Sequence, residues 1–579
     1  MSLSMFKNKK NTVDTKSSTK QSTPKTPKLI DTIDIRSVSK ARAWVSALPL
    51  MDMGETTRRL FAGLTKLNKE PVAPQKRIDV TEILLPYVKM SLDNLDRHFL
   101  SRSFPLPVRS QKVFDLKRAL LMELAGSYQL AALDMLTKNS VSKKELIIAI
   151  GRAIQYMSVV IMNDYGIYAK NQKTIWHDIH HLYLLACENN ISKNAVPHRD
   201  DVNGENYSIE EQYKLINLVA LSAPNTLRQG EVLRIREFFV KALNDVSIIT
   251  NPEKVKSKYA HIALLNSDEP ASLMPVSDLL NSPTSRIFDL SVIIQHLDQF
   301  VSLSEEADLG KHEKWPMLTH SLAKRLVYVL TTIRNRRFKR FPRDEKASLV
   351  IRMQDVIIMI KDNEPESFMD QINEDVEDDN IYEALAAEDG ISSPWSDVDE
   401  LAEERDVQIH TWQIENSSSG GYGLKQITNE ASTARVGELV GIKDPNDSAG
   451  LWQISVTKWM DSFKDVGLRI GLEILSLHGM VVKVDEISNR EMSQKLPLEG
   501  VLLPTIDGAR DKANLIFPGY IFQVDDELTI TLGTREQHVR ITLIDDTVGN
   551  FAYCSYEVLE KEALPEGSLE SFEDIFEFL

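Results

Sequence analysis

The hydrophobic period of this chain changes once, and that change limits what it can fold into. Up to about residue 335, apolar residues recur every three or four positions. After about 406 they alternate in short runs separated by turn residues. A period near 3.6 buries one stripe of a helix and a period of two buries one face of a strand. The chain therefore predicts a helical region followed by a β region. Between the two, residues 362–405 are crowded with Asp and Glu (NEDVEDDN, AAEDG, SDVDELAEE), and Arg405 is their only basic residue. Such a stretch favours solvation over a packed core. At 579 residues the chain is too long for one ordinary core, so several domains are expected.

Helix signals are explicit in the first region. Ser142-Lys-Lys-Glu145 and Ser208-Ile-Glu-Glu211 have the capping-box pattern. The first opens a run with Leu146, Ile150, Ile154, Met157 and Ile161 at helical spacing; the second opens one that should stop near Ala223-Pro224. A third stripe, Leu318, Leu322, Leu326, Val329 and Ile333, leads into a burst of arginines. The pattern suits a bundle or a solenoid of helical hairpins, without a clean repeat. In the β region, Val407–Ile414, Tyr422–Ile427, Val436–Ile442, Trp452–Trp459 and Leu468–Leu475 read as strands. Further short strands run from Met480 to Val558, which suggests one or two small antiparallel barrels.

Composition narrows the function classes. A net charge of −16 and a pI near 5.4 give no global attraction for DNA or an anionic membrane, so an anionic ligand needs a local basic patch. Cys187 and Cys554 are isolated, as suits a reducing compartment. No apolar stretch approaches the ~20 residues of a membrane span, no secretory signal opens the chain, and a cytoplasmic location is expected. Residues 1–30 are rich in Lys, Ser, Thr and Pro and read as a disordered basic tail, and the end after Pro565 is acidic with interspersed Phe and Leu. His177, His180 and His181 share a helical face, but without a second ligand pair packing is the expected role rather than metal binding. Glu383-Ala384-Leu385 stands without the other acidic motifs of a phosphodiesterase, and no motif for phosphate-loop, dinucleotide or serine-hydrolase chemistry occurs, so no enzyme is expected.

Two motifs carry binding chemistry. The first is Arg334, Arg336, Arg337, Arg340 and Arg343 in RNRRFKRFPR, just ahead of a strand-like segment at Ala347–Met353. Arginine grips phosphate with a planar fork, stacks on purines and bonds guanine O6 and N7. The second is Asn416-Ser417-Ser418-Ser419-Gly420-Gly421, where small residues let backbone N–H groups approach a ligand and glycine permits a tight turn. Alone, the arginines suit a helix C-terminus and the glycines a β-hairpin.

Taken together, RxxxR (Arg336, Arg340) and N-x-S-x-x-G (Asn416, Ser418, Gly421) resemble the two-part signature of the PilZ family. Arg435–Ile442, Leu451–Trp459 and Gly467–Leu475 look like the later strands of PilZ-type barrels, and Trp176–Tyr183 looks like part of the helical region of long bacterial members. Asn416 stands where the family usually has Asp, and the acidic stretch separates the two halves more widely than usual.

The change of period predicts an α+β multidomain chain with an all-helical interaction domain at 31–330, and the resemblance implies a PilZ-like barrel at 331–475 carrying the insertion 362–405. A C-terminal β module with an acidic tail occupies 476–579. It implies cyclic di-GMP as the ligand, with no metal or other cofactor, held by Arg336, Arg337, Arg340, Asn416, Ser418, Gly420 and Gly421. It also implies a protein partner that meets the helical region when the ligand draws the arginine linker onto the barrel. The competing expectation is a ligand-free barrel in a scaffold or chaperone-like adaptor.

Overall fold

The computed structural model describes residues 34–559 except 99–102, 138–141, 198–205, 280–283, 307–314, 334–337, 364–406, 464–466, 487–497, 505–512 and a few single positions. The basic tail, the acidic stretch with Glu383-Ala384-Leu385, and the end after Pro565 lie outside the described residues.

Among the described residues, ten α-helices precede the β region: α1 Val38–Ser46, α2 Met53–Lys69, α3 Pro74–Asp96, α4 Val108–Thr137, α5 Lys143–Gly166, α6 Ile175–Glu188, α7 Ile209–Leu221, α8 Glu231–Lys241, α9 Ser291–Glu306 and α10 His320–Thr331. Helix α5 is the hub of the bundle and packs on α3, α4, α6, α7 and α8. Its buried residues run nearly all round, from Leu146 to Asp164. That explains a composition apolar enough to cross a bilayer in a helix most of whose surface is inside the protein. The Ser208–Glu211 capping box forms in both directions, at 2.6 and 3.2 Å. Ser142 precedes α5 as expected, but its hydroxyl makes no cap bond. His180 is fully buried, with Nδ1 2.8 Å from the Tyr213 hydroxyl and Nε2 2.9 Å from the Glu269 carbonyl. Both ring nitrogens are engaged in packing contacts, which leaves neither for a metal.

One part of the region expected to be all helical is not. Strands β1 Ser247–Ile249, β2 Tyr259–Leu264, β3 Ser272–Pro275 and β4 Ser285–Asp289 form a sheet in the order β1-β4-β2-β3. Each run is too short for its period to stand out, and only Ala260, Ile262 and Ile287 form its small buried core.

The middle β region consists of β5 Phe341–Pro342, β6 Lys346–Ile351, β7 His410–Ser418, β8 Gly421–Gln426, β9 Leu439–Lys443, β10 Gln453–Phe463 and β11 Gly467–Ser476. Pairing runs β7-β6-β9-β10-β11-β8 and returns to β7, which closes a barrel; β5 continues the line of β6 along β7. The segment before the acidic stretch is thus an integral staff of the barrel. It is followed by α11 Met353–Lys361, a helix too short for its period to stand out in the sequence. A second closed barrel comprises β12 Met480–Glu486, β13 Leu498–Leu503, β14 Asn514–Phe517, β15 Glu527–Leu532, β16 Arg535–Asp545 and β17 Ala552–Val558. Val356, Ile357 and Ile360 of α11 join Leu439, Ile454 and Val456 of the first barrel and Val501, Ile516 and Phe551 of the second in one apolar cluster.

The helical region is fastened to both barrels. Phe104, Phe114, Ile167 and Tyr168 share a core with the inward residues of the middle barrel. Backbone N–H groups of Ser432 and Ser462 donate to the Phe104 and Tyr168 carbonyls at 2.8 and 2.7 Å. The turn between β16 and β17 is a three-way junction. Arg228 donates to the Asp546 carbonyl at 3.2 Å and to the Gly549 carbonyl, and Ser321 donates to Asp546 at 2.8 Å. Asn550 donates to the Gly437 carbonyl at 2.6 Å. Charged hydrogen bonds of this kind contribute about 1–3 kcal/mol. Arg228→Ala is expected to keep the far-ultraviolet dichroism while amides around 546–550 exchange faster, as hydrogen exchange followed by mass spectrometry would report.

Candidate functional site

The arginine segment meets the turn. Arg334, Arg336 and Arg337 lie outside the described residues. From Phe338 onward the chain is seated on the β7–β8 hairpin. The Phe338 ring covers Gly420, where a Cβ would stand 2.8 Å from Cδ2 and Cε2. Phe341 and Pro342 pair with Ser417 and Asn416. Arg340 stands one residue ahead of that pairing, at the edge of the turn beside Ser418. It is exposed and has no ion-pair partner among the described residues. Lys339, with its ammonium 5.6 Å from the Phe341 ring centroid, adds a second cation.

The Asn416–Gly421 motif is a hairpin and also a piece of the outer barrel wall. Ser418 Oγ donates to the Gly421 carbonyl at 3.3 Å and helps close the turn. Gly421 has φ +156°, and a Cβ there would sit 1.9 Å from the Leu472 carbonyl, so the close approach of β11 demands glycine. Asn416 reaches the outer face because the register slips between Ile414 and Asn416, leaving Glu415 as the extra residue of a bulge. The Asn416 amide then lies over Gly423, and its Oδ1 is buried without a hydrogen-bond partner among the described residues.

Across the same face the sequence analysis missed three residues. Asn416 pairs with Gly423, Gly423 with Gly471, and Gly471 with Trp459. The Trp459 indole lies directly on Gly471, with Nε1 1.8 Å from where a Cβ would be. It faces outward because a second register slip falls between Thr457 and Trp459. The two glycines thus form a floor flanked by an amide on one side and an indole on the other. Glycines placed opposite each other on adjacent strands were the available signal; the bulges that align them have none.

Arg343 has a different role from Arg340. Its Nη1 and Nη2 donate to Asp444 Oδ2 and Oδ1 at 2.6 and 2.9 Å, and its Nε donates to Glu345 at 3.0 Å. The Tyr422 hydroxyl donates to Asp444 at 3.0 Å, as does the Asn446 N–H. Both charged side chains are largely buried, at 14% and 7% exposure. Hydrogen bonding to Asp444 raises the Arg343 pKa further. Burial pushes the Asp444 carboxyl up, but Arg343, the Asn446 N–H and Tyr422 outweigh it and hold it below the usual carboxylate range. Arg343 likewise holds Glu345 down, to about 2.

Comparison with known proteins agrees with this geometry. Three family models match in chain order: the N-terminal domain of the cyclic-di-GMP receptor FimW over residues 39–254, its middle PilZ domain over 360–480, and its C-terminal β-barrel domain over 484–559. The chain belongs to this PilZ-domain family. A curated relative, the cyclic-di-GMP receptor FimW of Pseudomonas aeruginosa, is 25% identical over 566 residues, covering 90% of each chain. No solved structure matches. The PilZ barrel therefore lies between the two family-specific domains, and its first staff, β5–β6, precedes the span that the PilZ match covers.

Two outcomes are expected. Gly421→Ala should lower stability by about 3 kcal/mol in denaturant titration, because a methyl group has no room against the Leu472 carbonyl. Asp444 has a depressed folded pKa, so its contribution is present above the unfolded carboxylate value of about 4 and is lost as pH falls through the folded one. Asp444→Asn should therefore lower the melting temperature at pH 6 and lower it less at pH 3.

Proposed function

We propose that this chain is a non-catalytic receptor for cyclic di-GMP that passes ligand binding on to a protein partner through its helical region. The observation that carries the reading is the meeting of Arg340 with the Asn416–Gly421 hairpin on one outer face. Cyclic di-GMP presents two phosphates and two guanines. Arg340, with Arg336 and Arg337 just upstream, supplies forks for phosphate or for guanine O6 and N7. Asn416 is the amide counterpart of the Asp usual in the family and places a polar side chain on this face without adding charge. The Trp459 indole offers a flat surface on which a base stacks.

The sequence-based mechanism had the ligand draw the linker onto the barrel. In this structure the linker is already seated on the β7–β8 hairpin from Phe338 onward. The site also adjoins the helical region: Asp461, two residues beyond Trp459, accepts from Asn225 at 3.5 Å, and Ser462 bonds Tyr168. Ligand contact along β10 thereby reaches the surface where the bundle docks. A cytoplasmic location suits the two free thiols.

Isothermal titration of the purified chain with cyclic di-GMP tests the reading. Binding in the micromolar range or tighter is expected, and it should be abolished in the Arg336→Ala/Arg340→Ala variant. Trp459→Ala should weaken it by about 1–3 kcal/mol, the usual value of one aromatic–base stack. Unchanged affinity in the double variant would remove this site. No binding by the wild type would favour the scaffold reading.

A further inference from the structure

We propose that the arginine burst is divided in function, with Arg343 acting as a positioning residue that never touches ligand and sets the place of Arg340. The inference rests on the receptor reading and deepens it. Three observations carry it. Arg343 is the one described arginine of the burst with its guanidinium committed on two edges, bidentately to Asp444 and through Nε to Glu345. Its own N–H donates to the Glu415 carbonyl at 3.0 Å, and Ile414 N–H donates to the Glu345 carbonyl at 2.8 Å, so the bond pair brackets the bulge that turns Asn416 outward. Asp444 is in turn fixed by Tyr422 and Asn446 on strands and turns of the barrel itself.

On the other side of Arg340, the Phe338 ring rests on Gly420. Arg340 is thus held between two anchors, an aromatic ring two residues before it and a buried ion pair three residues after it, while its own guanidinium has no ion-pair partner among the described residues. A segment fixed in this way loses less conformational freedom when an anion binds, and affinity gained through preorganisation needs no contact from the anchoring group. Arg343 is suited to the role because only a planar fork spans both carboxylate oxygens while a third N–H reaches Glu345; a lysine in its place would keep the charge and lose that geometry.

The test is isothermal titration of the full chain with cyclic di-GMP at two salt concentrations, for wild type, Arg340→Ala, Arg343→Ala and Arg343→Lys. Removing a positioning residue should weaken binding by about tenfold while the salt dependence stays that of wild type, because the cation facing the ligand is still present. Removing Arg340 should weaken binding and flatten the salt dependence. Arg343→Lys should remain weak. The proposal is overturned if Arg343→Ala binds like wild type, if it flattens the salt dependence as Arg340→Ala does, or if Arg343→Lys restores full affinity. Should Arg343→Ala fail to fold, Asp444→Asn carries the same comparison. If wild type itself does not bind, the receptor reading falls, and the anchor is judged separately by hydrogen exchange. Faster exchange of the Phe341, Arg343 and 413–417 amides in Asp444→Asn supports it, and unchanged exchange refutes it.

Discussion

The bidentate pair between Arg343 and Asp444 joins two parts of the chain that the acidic stretch keeps apart in sequence. The middle barrel closes only if β6, made before that stretch, pairs with β7, made after it. Bringing distant segments together costs entropy that grows only with the logarithm of loop length, roughly 0.6 kcal/mol per doubling, so a long insertion is tolerable provided the junction is strong. The junction here combines the β6–β7 and β6–β9 ladders, the buried ion pair, and α11 packed against the outside of the wall. Breaking a buried pair on one side leaves an uncompensated charge, which is why such a pair specifies one register more than it adds net stability.

The same junction explains what was legible beforehand. The strands from β7 to β17 were visible as short apolar runs between turn residues, some alternating and some, such as β9 and β14, buried on both faces, and α5, α7 and α10 were visible as stripes of Leu, Ile and Val. The Ser208–Glu211 box could be seen because it is local chemistry between residues three apart. The small sheet at β1–β4 and helix α11 were hidden for a shared reason: their segments are short, and tertiary burial decides their form where period does not.

For the site, sequence alone identified the ingredients but not their division of labour. Arg340 and Asn416 lie together because Phe341 and Pro342 pair with β7, a contact across more than seventy residues of chain. Asn416 and Trp459 both face outward because a bulge precedes each of them, and strict alternation would have pointed both inward. A bulge is set by what lies across the strand, so it leaves no mark on the strand's own pattern. Gly420 and Gly421 were chosen as places where backbone could approach a ligand. Their immediate causes are different, a ring resting on one and a carbonyl against the other.

The electrostatic setting makes any attraction for an anion at the candidate site a local one. A chain of net charge −16 repels anions in general, so an anionic ligand is retained only where short-range contacts exceed that repulsion. Lys339 and Arg340 provide the attraction at the turn, and Arg343 has been withdrawn from it by Asp444 and Glu345. The Trp459 indole lies on the same outer face, so the candidate site sets a planar surface near these cations. Because β10 continues from Trp459 to Asp461 and Ser462, where the bundle docks, the candidate site borders the surface through which the helical region is held.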